Sequence, residues 1–390
     1  MRYIIIFFLS IGAARPCCPQ TNDATLISAL LRNIAAIQVG SNGEFYSGSF
    51  PSFRECRGIP HNYRPDNNIF YTALTISALR NMLTQFSMAD QMIATGIINN
   101  AQKAFPYYAD KNGLPFYSFW PNAKGIMPHS FFINKIKLID MGQDADDAVM
   151  SLMATAANDT SIAALKKRMA AVSNGSKKKT NSTYRRYRNI PAYSTWLGYG
   201  MKPDFDLGVH CNILYCMLNS KLPLVQQDSA TIHLIAHLLQ RREYIKAPVY
   251  NSPYYARPPV LMYQLAKLMG RFHISELEMY RAQLVTDLQS ALNKNNSLMD
   301  QIILSTSLLR LGGKPVPIDI PSIAVFEKSC TDKFIFFQAR AAFSYPTPLK
   351  QLFLHWSYLC YNFYCPAFNK LLWLEYLIER NKTAGTTSPV

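Results

Sequence analysis

Residues 144–157 read Asp144-Ala145-Asp146-Asp147-Ala148-Val149-Met150-Ser151-Leu152-Met153-Ala154-Thr155-Ala156-Ala157, three carboxylates followed by a largely apolar run. Asp is favoured at a helix cap and in the first turn, where its charge meets unpaired N–H groups and the positive end of the helix dipole. The stretch therefore predicts a helix over 145–157. A helix apolar on most faces must be enclosed by others. The carboxylates themselves carry two readings. They are an N-cap with a solvated first turn, or they are a site in which mutual repulsion raises the proton affinity of at least one.

The same opening recurs along the chain. Pro65-Asp66-Asn67-Asn68, Asp204-Phe205-Asp206 and Ser297-Leu298-Met299-Asp300 each precede an apolar run, and Tyr254-Tyr255-Ala256-Arg257 fills the intervening place with aromatic residues. Apolar residues at three- and four-residue spacing cover 24–39, 68–83, 89–104, 145–157, 161–172, 207–218, 230–240, 258–269, 275–292, 298–311, 349–363 and 367–378. Strand-like alternation is nearly absent, so the expectation is an all-α protein of about twelve helices, or six hairpins. The weak repeat predicts one domain over 23–380, an (α/α)6 toroid with the apolar helices inside and their amphipathic partners outside. Its mouth would collect the inner-helix N-termini, and with them Asp66, Asp146 and Asp206.

At the N-terminus, Arg2, an apolar run over 3–11 and Gly12-Ala13-Ala14 form the pattern of a secretory signal over 1–14, too short to span a bilayer. Export is the expectation. The rival use of Cys17 as a lipid anchor fits less well, because Arg15-Pro16 precedes it. Eight cysteines in 390 residues show no zinc spacing and read mostly as small buried apolar residues, although an exported chain could also pair some. No metal or cofactor is called for. Net charge is +16, and nine of the forty Lys and Arg fall within 166–188. That segment reads as a basic surface loop, either merely solubilising or in contact with an anionic glycan, headgroup or phosphate; nucleic acid is not an expected partner outside the cytoplasm. A monomer is expected.

Four segments resemble the terpenoid-cyclase and prenyltransferase-like toroids, which include squalene and hopene cyclases. Asp144-Ala145-Asp146-Asp147 is similar to the DxDD motif of class II terpene cyclases. Pro115-Phe116-Tyr117-Ser118-Phe119-Trp120-Pro121 resembles the aromatic stretch ahead of it. Asp206-Leu207-Gly208-Val209-His210-Cys211-Asn212 resembles the helix that follows, and Asn362 to Phe368 the closing helix start. The resemblance implies that Asp146 protonates an alkene or epoxide, flanked by Asp144 and Asp147 and oriented by His210. Asp66, Trp120, Asp206, Asn212, Tyr254 and Tyr255 would meet the substrate. The implied activity is acid-initiated cyclisation or isomerisation of an isoprenoid-like lipid. Two alternatives stay open: a glycan-active hydrolase or lyase using two carboxylates across the mouth, and a non-catalytic module binding a lipid or glycan. His210 also reads as a hydrogen-bonded core residue, and the aromatics as core filling.

Overall fold

The computed structural model describes residues 23–385 except 112, 122–142, 199–200, 295–296, 330–332 and 341–344. The expected signal at 1–14 and Cys17 lie outside the described residues. Within them the protein is mostly helical. The long helices are α1 (Asp23–Ile37), α2 (Phe70–Met82), α3 (Met88–Ala101), α4 (Ala145–Ala154), α5 (Asp159–Ala171) and α6 (Leu207–Asn219). They continue with α7 (Gln226–Gln240), α8 (Pro258–Arg271), α9 (Arg281–Lys294), α10 (Leu298–Arg310) and α11 (Pro366–Gly385).

The most apolar helices pack on one another in a sequence that returns to its start. α2 lies on α4, α4 on α6, α6 on α8, α8 on α10, α10 on α11, and α11 back on α2. Enclosure follows from composition: every residue of α6 from Leu207 to Met217 is buried, and so is every residue of α2 from Phe70 to Leu79. The more polar helices lie against this set, α3 on α2, α5 on α4, α7 on α6 and α9 on α10, while α1 spans α11 and α3. Capping chemistry sets several starts. Asn158 accepts from Ser161 N–H ahead of α5, and Ser87 from Asp90 N–H ahead of α3.

The expected helical dominance holds, but the fold is not purely helical. Four antiparallel strands, β1 (Phe53–Cys56), β2 (Arg64–Pro65), β3 (Gln338–Arg340) and β4 (Cys360–Tyr364), make a small sheet in the order β2-β1-β4-β3. Arg54 stands opposite Phe363, and Gln338 opposite Asn362. The helix expected over 349–363 is instead a short helix, Leu349–Phe353, followed by β4. Cys360-Tyr361-Asn362-Phe363-Tyr364 has aromatic, strand-favouring content, and β1 supplies a partner some three hundred residues away in the chain, which local periodicity does not register. The sheet meets the helix starts: Gln338 N–H donates to the Tyr254 carbonyl at 2.8 Å, and the Tyr71 hydroxyl to the Phe363 carbonyl at 2.8 Å.

The basic segment 166–188 also differs from a plain loop. α5 runs to Ala171, and Lys166 is buried against Asp228, with Nζ 2.7 Å from Oδ2. Beyond the helix, Asn174 clamps the chain. Its amide donates to the carbonyls of Arg188 and Ile190 at 2.9 and 2.7 Å and accepts from Thr180 N–H at 2.8 Å. Helical spacing at 161–172 already extended into this segment, and the local burial of Asn174 and Thr180 completes the anchoring.

Gly208 marks a close approach between α6 and the segment that opens α8. A Cβ there would stand 2.1 Å from Cδ2 of Tyr255. Overfilling of this kind costs about 1–3 kcal/mol. Gly208→Ala is therefore expected to melt several degrees below the parent protein, measured by circular dichroism; an unchanged melt would show that the Tyr255 ring is not held against this helix.

Candidate functional site

Asp144 sits at the N-cap of α4, and its Oδ1 accepts from Asp146 N–H at 2.7 Å. The strand-like piece at Thr195-Trp196-Leu197 holds this turn in place. Ala145 N–H donates to the Thr195 carbonyl at 2.8 Å and Leu197 N–H to the Gln143 carbonyl at 3.0 Å. The capping reading is thus correct for Asp144, but the solvated one is not: Asp146 and Asp147 are only 5 % and 4 % exposed.

Asp146 is gripped from two helix starts. Asn212, one turn into α6, donates to Oδ1 at 2.9 Å, and the Tyr255 hydroxyl donates to Oδ2 at 2.5 Å. Asn212 also reaches the Tyr255 hydroxyl at 3.2 Å, closing a triangle. Asp206 caps α6: Oδ1 accepts from Gly208 N–H, Val209 N–H and the Ser252 hydroxyl at 2.9, 3.2 and 2.6 Å, while Oδ2 accepts from Tyr254 N–H at 2.9 Å. Four donors on one carboxylate tie α6 to the segment that opens α8.

The electrostatics follow from burial first. Burial pushes the Asp146 carboxyl up to about 6, against the lowering effect of the Tyr255 and Asn212 hydrogen bonds and the charge of Lys267. Asp144 and Asp147 are raised well above the usual carboxylate range, again by burial before the repulsion of their neighbours. Asp206 is pushed up to about 7 by burial, its hydrogen bonds opposing. Like-charge crowding, the cause expected from the sequence, is real but secondary. Every member of the group holds its proton more tightly than an isolated carboxyl does.

Three expected members of the site have partners of their own. His210 does not orient Asp146. Its Nε2 donates to the Tyr193 carbonyl at 2.9 Å, its ring packs on Phe205, and burial pushes its pKa down to about 4, so it is neutral. Two residues along a helix is a rotation of about 200°, so with Asn212 facing Asp146, His210 must face away. Asp66 and Trp120 form a cluster of their own, in which the indole N–H lies 3.1 and 3.2 Å from the Asp66 oxygens, the Asn68 amide donates at 2.9 Å and Arg54 Nε stands 3.4 Å away. A ladder of rings leads from this cluster through Phe119 to Phe337, whose neighbour Gln338 bonds Tyr254.

Lys267 escaped the sequence reading. Burial pushes its pKa down to about 8, with Glu375, Asp146 and Cys211 pulling it back up. The signal was present as the lone charge inside Leu261-Met262-Tyr263-Gln264-Leu265-Ala266-Lys267-Leu268. Arg257, which joins the start of α8 to Asp300 in α10 and to the Ile335 carbonyl, was missed likewise.

Among the described residues no group of three or more His, Cys, Asp or Glu is placed to hold a metal ion, and the five described cysteines are buried and reduced. No described helix is long and apolar enough to cross a membrane. Comparison with protein-family models, with curated proteins and with solved structures finds no match. The class defined by fold and site is accordingly a mostly helical protein with a small antiparallel sheet and a buried cluster of carboxylates of raised proton affinity.

The raised Asp146 carboxyl makes stability depend on pH. Folding favours its protonated form, so from the unfolded value of 3.8 up to about 6 the unfolded chain releases its proton while the folded one keeps it. The Asp146 contribution therefore weakens as pH rises through that window and is constant above it. Asp146→Asn removes the ionisation. Melting temperatures of variant and parent, compared at about pH 4 and about pH 8, are expected to shift in the variant's favour at the higher pH. A difference that stays constant would contradict the buried-acid reading.

Proposed function

We propose that the chain is a single (α/α)6 toroid of the terpenoid-cyclase-like kind, and that Asp146 is a general acid acting on an isoprenoid-like lipid. The cycle of contacts α2-α4-α6-α8-α10-α11 supports the toroid, with the polar helices as its outer layer. The observation that carries the chemistry is the Asp146 carboxyl: it titrates near 6, and each of its oxygens takes one hydrogen bond from a neutral donor. Each oxygen keeps an acceptor position on which the transferable proton can sit. An acid whose pKa lies near neutrality combines a substantial protonated fraction with driving force for release.

The step balances without a cofactor. The Asp146 O–H bond breaks, its proton forms a C–H bond at one alkene carbon, and the adjacent carbon becomes cationic. A second π bond can close on that cation and move the charge to another carbon; in either case a C–H bond beside the cationic carbon then breaks, its electrons form a new C=C bond and its proton returns to the Asp146 carboxylate, so the net product is an isomer. Rings stand near by: Phe336 packs edge-on to Tyr255 with centroids 5.9 Å apart and to Phe368 at 4.8 Å, and their π faces stabilise positive charge. Because Asp146 is buried, the substrate must be apolar enough to replace core contacts as it enters, which favours a lipid over a sugar. Asp206 points the same way. Its carboxylate is committed to four donors, whereas a two-carboxylate glycosidase mechanism needs a second acid or base that is available to water. Export remains part of the proposal on the strength of 1–14.

The full chain is to be incubated with linear isoprenoid alkenes and, in parallel, with oligosaccharides, and products separated by gas and liquid chromatography coupled to mass spectrometry. A product isomeric with its alkene is expected, and Asp146→Asn should lower its rate by about a hundredfold or more, general acids being worth that much. Undiminished turnover in Asp146→Asn, or cleavage of a glycan alone, would overturn the proposal.

A further inference from the structure

The polar helix α7 packs on α6 and carries two histidines one turn apart, His233 and His237. Residues four apart on a helix are neighbours on one face. His233 is exposed and His237 half-buried, whereas Ile232, Leu234, Ile235 and Ala236 beside them are buried in the core, so the pair stands on the outward side of the helix. The two Nε2 atoms are 2.9 Å apart, and the ring planes cross at 81°. We propose that His233 and His237 form a binding site for one divalent transition metal ion of the imidazole-preferring class, Cu2+, Ni2+ or Zn2+, with water completing its coordination.

Three observations carry the assignment. The first is the span between the nitrogens. Metal–imidazole bonds are about 2.0–2.1 Å long, so two nitrogens 2.9 Å apart subtend about 90° at a shared ion, the angle between adjacent positions of a square-planar or octahedral complex. The second is the tautomer. A carboxylate only accepts, so His233 Nδ1–H donates to Glu276 Oε1 at 2.7 Å, which leaves the lone pair of the neutral ring on Nε2, towards His237. A carboxylate behind a ligating histidine fixes the ring plane and raises its basicity as a ligand. The third is that Glu276 is itself held. It belongs to the short helix Ser275–Glu278, which packs on α7, and its neighbour Leu277 is fully buried and bonds back to the Ile274 carbonyl at 2.8 Å. As the pair stands, His237 Nε2–H donates to His233 Nε2. A bound ion takes the place of that proton, and His237 then carries it on Nδ1. With two protein ligands the site differs in kind from a cage of three or more, of which the described residues hold none.

The test uses the full, untagged chain, freed of metal by chelation and dialysis. Isothermal titration calorimetry with Cu2+, Ni2+, Zn2+ and, as a control, Mg2+ is run on the parent and on His233→Gln, His237→Gln and Glu276→Ala. The parent is expected to bind Cu2+ in the micromolar range or tighter, Ni2+ and Zn2+ more weakly, and Mg2+, which prefers oxygen ligands, not at all. Each histidine variant is expected to lose one equivalent of Cu2+ or to bind it about tenfold or more weakly, because a single imidazole remains. Glu276→Ala keeps both ligands and is expected to weaken binding by about 10- to 100-fold. Electron paramagnetic resonance of the Cu2+ complex supplies a readout that a loss of fold stability does not mimic: two coupled nitrogens in the parent, and at most one in either histidine variant. Asp146→Asn should bind as the parent does, which keeps this result independent of the proton-donor proposal. Absence of Cu2+ binding by the parent, or equal binding by the parent and both histidine variants, would overturn the site.

Discussion

A helix start buried in a protein interior leaves up to four N–H groups without intrahelical partners, and each must be satisfied on the spot. Here the apolar helices are enclosed along their length, so their starts are enclosed as well. Carboxylates meet the demand at two of them. Asp144 accepts from the backbone of α4, and Asp206 accepts from the first turn of α6 and from the chain that opens α8. The chemistry of the site is a consequence of that constraint, because the carboxylates that satisfy the helix starts are buried along with them.

Burial is what raises their proton affinity, and hydrogen bonding sorts them. Asp146 does no capping with its side chain. It is the carboxyl reached by two neutral side-chain donors, Asn212 and Tyr255, which hold it near 6 while Asp144 and Asp147 stand well above the usual range. The division of roles within four residues, one carboxylate capping and one gripped by a neighbouring helix, comes from the turn itself. Asp144 still has extended backbone, with φ of −86° and ψ of 137°, whereas Asp146 is already helical and points to the adjacent start.

Two further polar arrangements follow the same logic of enclosed charge. Lys166 is withdrawn from solvent and paired with Asp228, which also caps the turn at Val225. Arg257 bridges neighbouring helices by binding Asp300 and a carbonyl from the segment ahead of β3. A buried pair of this kind is costly to break, because the partner left behind is an uncompensated charge.

The sequence by itself determined where most helices lie, because apolar spacing of three and four residues is a local signal: eleven of the twelve expected segments contain a long helix. It also marked Asp146 and Tyr255 by the polar or aromatic starts of their helices, whereas Asn212 was marked only by the resemblance of its segment. Tertiary structure decided the rest. The strand at Cys360–Tyr364 exists because Phe53–Cys56 lies alongside it, and a partner so distant in the chain leaves no periodic trace. The direction of His210 was settled by the rotation of α6 that aims Asn212 at Asp146, and the joining of Asp66 to Trp120 and Arg54 by the packing of segments distant in the chain. Whether an aspartate is a solvated cap or a buried acid depends on what covers it, and that is a property of packing rather than of the residues beside it in the chain.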